Sequence, residues 1–232
     1  RTFNSTSVGR EKSAAFVNSL PLILDELQII KDKKDFDQSI YMLSEGAGRT
    51  RGNKSGGVDK TPTWSNCVIT SGEMPITNAS SGGGAVNRIL EVECTERLFD
   101  DPRHVANILK SNYGFAGKAF VELLQVPEMI EAAQIIYEQI YAQTKTEDTM
   151  EKQAGAAALV LTADKLITDW IFKDDKALTV QEISEFLKSK EAVSVNQRAY
   201  EYICEYVVQN KNKFCGSSEI TEVLGRLEEG KV

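Results

Sequence analysis

One histidine and four widely spaced cysteines are all the soft ligands this sequence offers. Cys67, Cys94, Cys204 and Cys215 form no C-x-x-C pair, and with only His104 to join them a zinc site is disfavoured. They read as reduced thiols of a cytoplasmic protein. A single histidine also argues against Ser-His or Cys-His catalysis. His104 lies in the polar helix start Asp101-Pro102-Arg103-His104 and reads as a solvated surface residue. No apolar run approaches the roughly 20 residues needed to cross a bilayer, so no membrane role is expected. The first residues, Arg1-Thr2-Phe3-Asn4-Ser5, contain neither a secretory leader nor an initiator Met, and the chain reads as a fragment. Positive charge is short as well. A net charge of −7 excludes a protein that coats nucleic acid with its whole surface, so any such contact needs a local basic patch.

What is present is an ordinary globular composition, 41% hydrophobic and 26% charged. Residues 1–4 could end a strand. Ser5, Thr6 and Ser7 offer caps to a helix over about 8–18. Leu22-Ile23-Leu24 is apolar throughout and predicts a central strand of a parallel sheet, buried on both faces. A helix over about 36–45 ends at Gly46. Asn66 to Ser71 predicts a second buried strand. A glycine-rich loop over 77–84 then leads to a third strand at Arg88-Ile89-Leu90-Glu91-Val92-Glu93. From Asp100 the pattern turns helical, with helices expected over 101–112, 115–125, 127–143, 149–172, 180–188 and 194–210. A boundary between an α/β part, 1–99, and a helical part, 100–232, follows.

Three segments carry chemistry. Leu20-Pro21-Leu22-Ile23-Leu24-Asp25-Glu26 is a strand ending in two acids. In P-loop NTPases such an acid holds Mg²⁺, often through water, and a following Glu can polarise the attacking water. Taken alone, a strand that ends in two acids is a common structural pattern. The next strand ends in Thr70-Ser71-Gly72-Glu73, where a hydroxyl can sense γ-phosphate; the plain alternative is a strand end and a turn. Between them, Gly46 to Trp64 interleaves five glycines with Arg49, Arg51, Lys54 and Lys60 against one acid, Asp59. That composition suits phosphate-backbone contact, although a surface loop, or contact of Arg49 and Arg51 with a neighbour's nucleotide, would look the same. Arg88 suits either a structural salt bridge or an arginine that reaches a neighbour's ATP. Trp64 and Trp170 read as core. Tyr200, Tyr202 and Tyr206 do not share one clean helix face. Asp25 and Glu26 are adjacent and point apart, which discounts glycosidase-like work.

Taken in order, Asn4-Ser5-Thr6-Ser7-Val8-Gly9-Arg10-Glu11, the Leu20–Gln28 block, Gly46-Ala47-Gly48-Arg49-Thr50-Arg51-Gly52, Thr70-Ser71-Gly72-Glu73 and Gly84-Ala85-Val86-Asn87-Arg88-Ile89 resemble domain-of-unknown-function family 927. That family is also described as superfamily II helicases and inactivated derivatives, found on phages and mobile elements, some resembling hexameric AAA+ motors. The resemblance covers about residues 1–125. Asn196-Gln197-Arg198-Ala199-Tyr200 and Asn210-Lys211-Asn212-Lys213-Phe214 also look like the family's C-terminal region.

The resemblance implies a partial P-loop NTPase sheet of AAA+ or RecA-like type, followed by a helical domain. Asp25 would hold Mg²⁺ through water beside ATP, Glu26 would act in catalysis, and Thr70 or Ser71 would be the sensor. Arg88 would be the trans-acting arginine. Residues 46–63 would form a hairpin pointing to DNA in the channel of a hexameric ring. One departure is large: no G-x-x-x-x-G-K-[ST] occurs in the sequence, and in the family that loop would precede Arg1. Without its amide cradle and Lys the chain should not hydrolyse ATP appreciably. The leading expectation is the C-terminal portion of an ATP-dependent DNA helicase or translocase. The alternative is a catalytically inactive derivative kept for DNA binding or assembly. Residues 177–214, a short helix, a turn and a longer one, weakly suggest helix-turn-helix; two packed structural helices are the favoured account.

Overall fold

The computed structural model describes residues 4–26, 33–77, 81–214 and 223–225, less the side chains at 33–36, 193, 195 and 198. The expected strand end at 1–4 lies almost wholly outside them, as does Cys215. The chain separates into two compact units, Arg1–Lys188 and Ser189–Val232. This division by contact falls far from the compositional boundary at 99.

The first unit begins with α1, Ser7–Val17, which Thr6 caps by accepting the Gly9 amide at 3.1 Å. The helix stops at Asn18, whose φ is 53° and whose amide donates to the Ala14 carbonyl at 2.9 Å. Strand β1, Leu22–Leu24, follows, then α2, Lys33–Glu45. Strand β2, Val68–Thr70, pairs parallel to β1 with Leu22 opposite Val68 and Leu24 opposite Thr70. Ala14 from α1, Leu22 and Leu24 from β1, Met42 and Leu43 from α2, and Trp64 form one core cluster. The Trp64 indole N–H donates to the Leu43 carbonyl at 2.9 Å, so the ring is buried without an orphaned donor. It is a core residue, as its sequence context implied.

Mixed α/β architecture, mostly helical with a small parallel sheet, is what the chain adopts. Two expectations about the sheet are corrected. Only the Leu22 and Leu24 face of β1 is buried; Ile23 and Ile69, opposite one another in the ladder, are 58% and 51% exposed. An unbroken apolar run cannot distinguish a strand covered on both faces from one with an apolar outer face. The third strand over 88–93 does not form among the described residues. A side chain takes one of its backbone acceptors instead: Gln153 Nε2 donates to the Ile89 carbonyl, and also to that of Val86 just before the segment, each at 2.8 Å. Glu91 turns its carboxylate to the Ile76 amide, at 2.6 Å, and the Thr77 hydroxyl, at 2.8 Å. Part of the expected 77–84 loop is the start of a short helix, α3, Gly83–Val86.

Helices α4, Pro102–Ser111, α5, Phe115–Leu123, α6, Pro127–Thr144, and α7, Glu151–Ile167, follow. Asp101 caps α4 through the His104 amide at 3.0 Å, and the His104 side chain is exposed as expected. Buried Ala154, Ala157 and Ala158 let α7 pack closely. The helix expected over 149–172 changes character at Thr168: five residues, Thr168–Phe172, form a π-turn that brings Trp170 within 5.9 Å of the Phe120 ring. The last helix of this unit, α8, Val180–Ser184, begins with a capping box between Thr179 and Glu182.

In the second unit a 3-10 turn, Glu191–Val193, leads into α9, Val195–Gln209, capped by Ser194. A further 3-10 turn, Lys211–Lys213, follows. Tyr202 and Tyr206 stack at 6.5 Å along α9.

Candidate functional site

Parallel pairing brings the carboxyl ends of β1 and β2 to the same edge. After the Leu24–Thr70 pair, the next residues on the two strands are Asp25 and Ser71. The Ser71 hydroxyl donates to Asp25 Oδ1, and the Glu26 amide donates to the same oxygen at 2.9 Å. The Ser71 hydroxyl first, and the Glu26 amide second, hold the Asp25 carboxyl below its usual range, so it is a carboxylate at neutral pH. Asp25, Glu26 and Ser71 are all exposed. Glu26 has a φ of 61°, a sign that Cβ-bearing residues seldom adopt. Thr70 stays in the ladder and is half-buried.

Residues 46–64 fold back on themselves. Antiparallel bridges join Ala47 to Thr63 and Gly52 to Val58. Amide-to-carbonyl bonds tie Trp64 to Gly46 and Gly48 to Pro62 at 2.8 Å each. The segment is a hairpin rooted between α2 and β2. Its tip is organised by Asn53, whose Oδ1 accepts the Ser55 amide at 3.1 Å and the Gly57 amide at 2.8 Å. Gly56, with a φ of 82°, makes the reversal that a Cβ would oppose. Arg49, Lys54 and Lys60 are exposed along it.

Arg51 is placed differently. Its guanidinium lies 2.7 Å from the carboxylate of Glu11, an α1 residue whose side chain is wholly buried. Arg51 is the chief cause holding the Glu11 carboxyl below its ordinary range, against the opposing effect of burial. In the sequence Glu11 counts only as the end of the Asn4–Glu11 block, with no role, although its position three residues before buried Ala14 on α1 places an acid on the buried face. Arg88 is also engaged within its own unit: it donates to the Gly84 carbonyl at 2.7 Å and stacks 4.7 Å from the centre of the Tyr41 ring. Thus Asp25, Glu26, Thr70 and Ser71 share one edge. Arg49, Arg51, Lys54 and Lys60 share the hairpin. Among the described residues, no three His, Cys, Asp or Glu side chains gather to hold a metal directly. No helix among them is long and apolar enough to cross a membrane.

Residues 1–64 match the family Domain of unknown function (DUF927). The match takes in α1, β1, α2 and the hairpin as far as Trp64, and so contains Asp25, Glu26, Glu11 and all four hairpin cations. It stops before Thr70, Ser71 and Arg88, about halfway along the 125 residues over which the resemblance was drawn. Residues 194–232 match the Cch helix turn helix domain. The 196–200 and 210–214 segments fall within this second match. This match begins at Ser194, the cap of α9, and leaves out α8, which belongs to the other compact unit. No curated protein and no solved structure matches the chain.

Proposed function

We propose that the chain is a DNA-binding portion of a P-loop ATPase of the helicase or translocase kind, carrying its Walker B acids, its sensor hydroxyl and a DNA-contacting hairpin. The observation that supports this best is the pairing of Asp25 with Ser71 at one edge of two parallel strands, with a basic hairpin inserted between those strands. Open α/β sheets bind ligands at the carboxyl ends of their strands. Asp25, kept ionised and oriented by the Ser71 hydroxyl, suits the outer sphere of Mg²⁺ better than direct ligation, because the site gathers too few donors for a cage. Magnesium there would offset charge on nucleotide phosphates. Glu26 would orient water beside it. A lysine loop for the triphosphate has no counterpart in these 232 residues, and the chain by itself binds no nucleotide productively on this reading.

The hairpin and the helix-turn-helix match supply two separate DNA contacts on this reading. In a ring of subunits the hairpin would face the central strand, and the helix-turn-helix would add an appendage. A second reading, an inactive derivative retained for DNA binding or assembly, keeps the same hairpin and the helix-turn-helix match without nucleotide chemistry. The first reading, and the DNA-binding form of the second, require the hairpin to bind a polyanion. Titrating the 232-residue protein with a labelled single-stranded oligonucleotide at several salt concentrations tests this. Lys54→Gln with Lys60→Gln should flatten the plot of log affinity against log salt by about 1.4, two contacts at about 0.7 each. An unchanged slope would remove the hairpin from DNA binding.

A further inference from the structure

Glu11 is a charged side chain with no exposure, on a helix with no direct link in sequence to the hairpin it touches. Burying a carboxylate is unfavourable unless a cation compensates it, and here the cation is delivered from 40 residues downstream. The hairpin is shaped to reach it. A Cβ on Gly48 would come within 2.9 Å of Glu11 Oε2 and 2.7 Å of Pro62 Cγ, so the hairpin backbone passes directly over the carboxylate where only glycine fits. Three residues further on, Arg51 sits between the Gly48–Pro62 and Gly52–Val58 contacts, with its carbonyl accepting the Asp59 amide at 2.8 Å. Its side chain is 35% exposed and its guanidinium points inward to Glu11. Lys54, beyond the Gly52–Val58 bridge at the tip, and Lys60, one step below Asp59 on the returning arm, face solvent.

We propose that Glu11 is the positioning residue of the hairpin: its ion pair commits the Arg51 guanidinium to holding the hairpin base on α1 and withdraws it from phosphate contact. The proposal deepens the DNA-binding reading and rests on it for its binding readout. It separates Arg51 from Lys54 and Lys60, which composition cannot distinguish. Arg51 fixes direction, and the lysines meet the polymer.

Glu11→Gln keeps the size of the side chain and releases Arg51. With the full chain and a labelled single-stranded oligonucleotide, this variant should bind with a steeper salt dependence, by about 0.7, because one more cation reaches the phosphates. Glu11→Gln combined with Arg51→Gln should return the slope to the wild-type value. A purely structural role would weaken binding without steepening its salt dependence, so a flatter or unchanged slope in Glu11→Gln overturns the proposal. Limited trypsin digestion gives a readout independent of DNA. Cleavage after Lys54 and Lys60 should speed several-fold in Glu11→Gln while cleavage after Lys152 and Lys165 on α7 stays at the wild-type rate. Equal acceleration at all four sites, or none at the hairpin, refutes the positioning role. If the wild-type protein binds no oligonucleotide, the DNA reading fails, and the digestion pattern alone decides the fate of Glu11.

Discussion

Gln153 offers the most direct test of how the first unit is held together. Its side chain is 2% exposed and makes three hydrogen bonds of 2.8 Å: two donated to the Val86 and Ile89 carbonyls, one accepted from the Lys188 amide. It thereby joins α3, α7 and the stretch after α8 at one point. Gln153→Leu has nearly the same volume and none of the polar atoms. The Val86 carbonyl keeps one partner, the Ile89 amide at 3.2 Å, so it loses only one of two bonds. Ile89 is only partly buried and Lys188 is exposed, so water can compensate some of their loss. Counting about 0.5–1.5 kcal/mol for each of the three bonds, with the lower part of that range where water replaces the partner, the variant should lose roughly 1.5–3 kcal/mol. Against a typical domain stability of about 5–15 kcal/mol this is a large fraction. Urea unfolding gives the magnitude, and hydrogen exchange at the Lys188 amide gives the location. Exchange there should accelerate at least about tenfold, the factor that corresponds to 1.4 kcal/mol. A loss below about 1 kcal/mol, with Lys188 exchange unchanged, would show that these bonds are not what holds the 83–89 turn against α7.

Two other outcomes follow from the geometry. Gly84→Ala would place a Cβ 2.5 Å from the Tyr41 hydroxyl, and overpacking of this kind costs about 1–3 kcal/mol; adding Tyr41→Phe, which removes the clashing oxygen, should recover part of the unfolding midpoint, and no recovery would locate the strain elsewhere. The Glu11 carboxyl is held below its ordinary value of 4.5, chiefly by Arg51 with Arg49 contributing. Its stabilising effect is therefore complete above that value and lost as pH falls through the lower folded-state pKa. The stability difference between the wild type and Glu11→Gln should shrink on acidification below about pH 4.5, as followed by urea midpoints, and a difference that is constant with pH would contradict the ion pair.

Much of the helical scaffold was legible because its signals are local. Thr6, Asp101, Thr179 and Ser194 each cap the helix that their side-chain chemistry announces. The turn-back between the two strands was implied only by the family resemblance, whereas the strands themselves were legible from Leu22–Leu24 and Val68–Thr70. The third strand was not, because alternation at Ile89-Leu90-Glu91-Val92-Glu93 reports only local periodicity. Whether such a segment joins a sheet depends on which groups reach its carbonyls, and the Gln153 side chain reaches that of Ile89 from 64 residues away. The single covered face of β1 was hidden for a related reason, since Ile23 contributes apolarity without revealing what lies above it. Arg51 shows the limit most clearly. Its neighbours in sequence make it one of four basic residues on a flexible-looking loop, and only the buried carboxylate of Glu11 sets it apart.

The stapling of the hairpin tip by Asn53 affects what Lys54 and Lys60 can do for any polymer they meet. Backbone amides at Ser55 and Gly57 already have their acceptor, so the reversal is set when the protein folds and needs no rearrangement on encounter. Association would then restrict chiefly the partner's conformations and two lysine side chains, leaving the speed of capture to charge and diffusion.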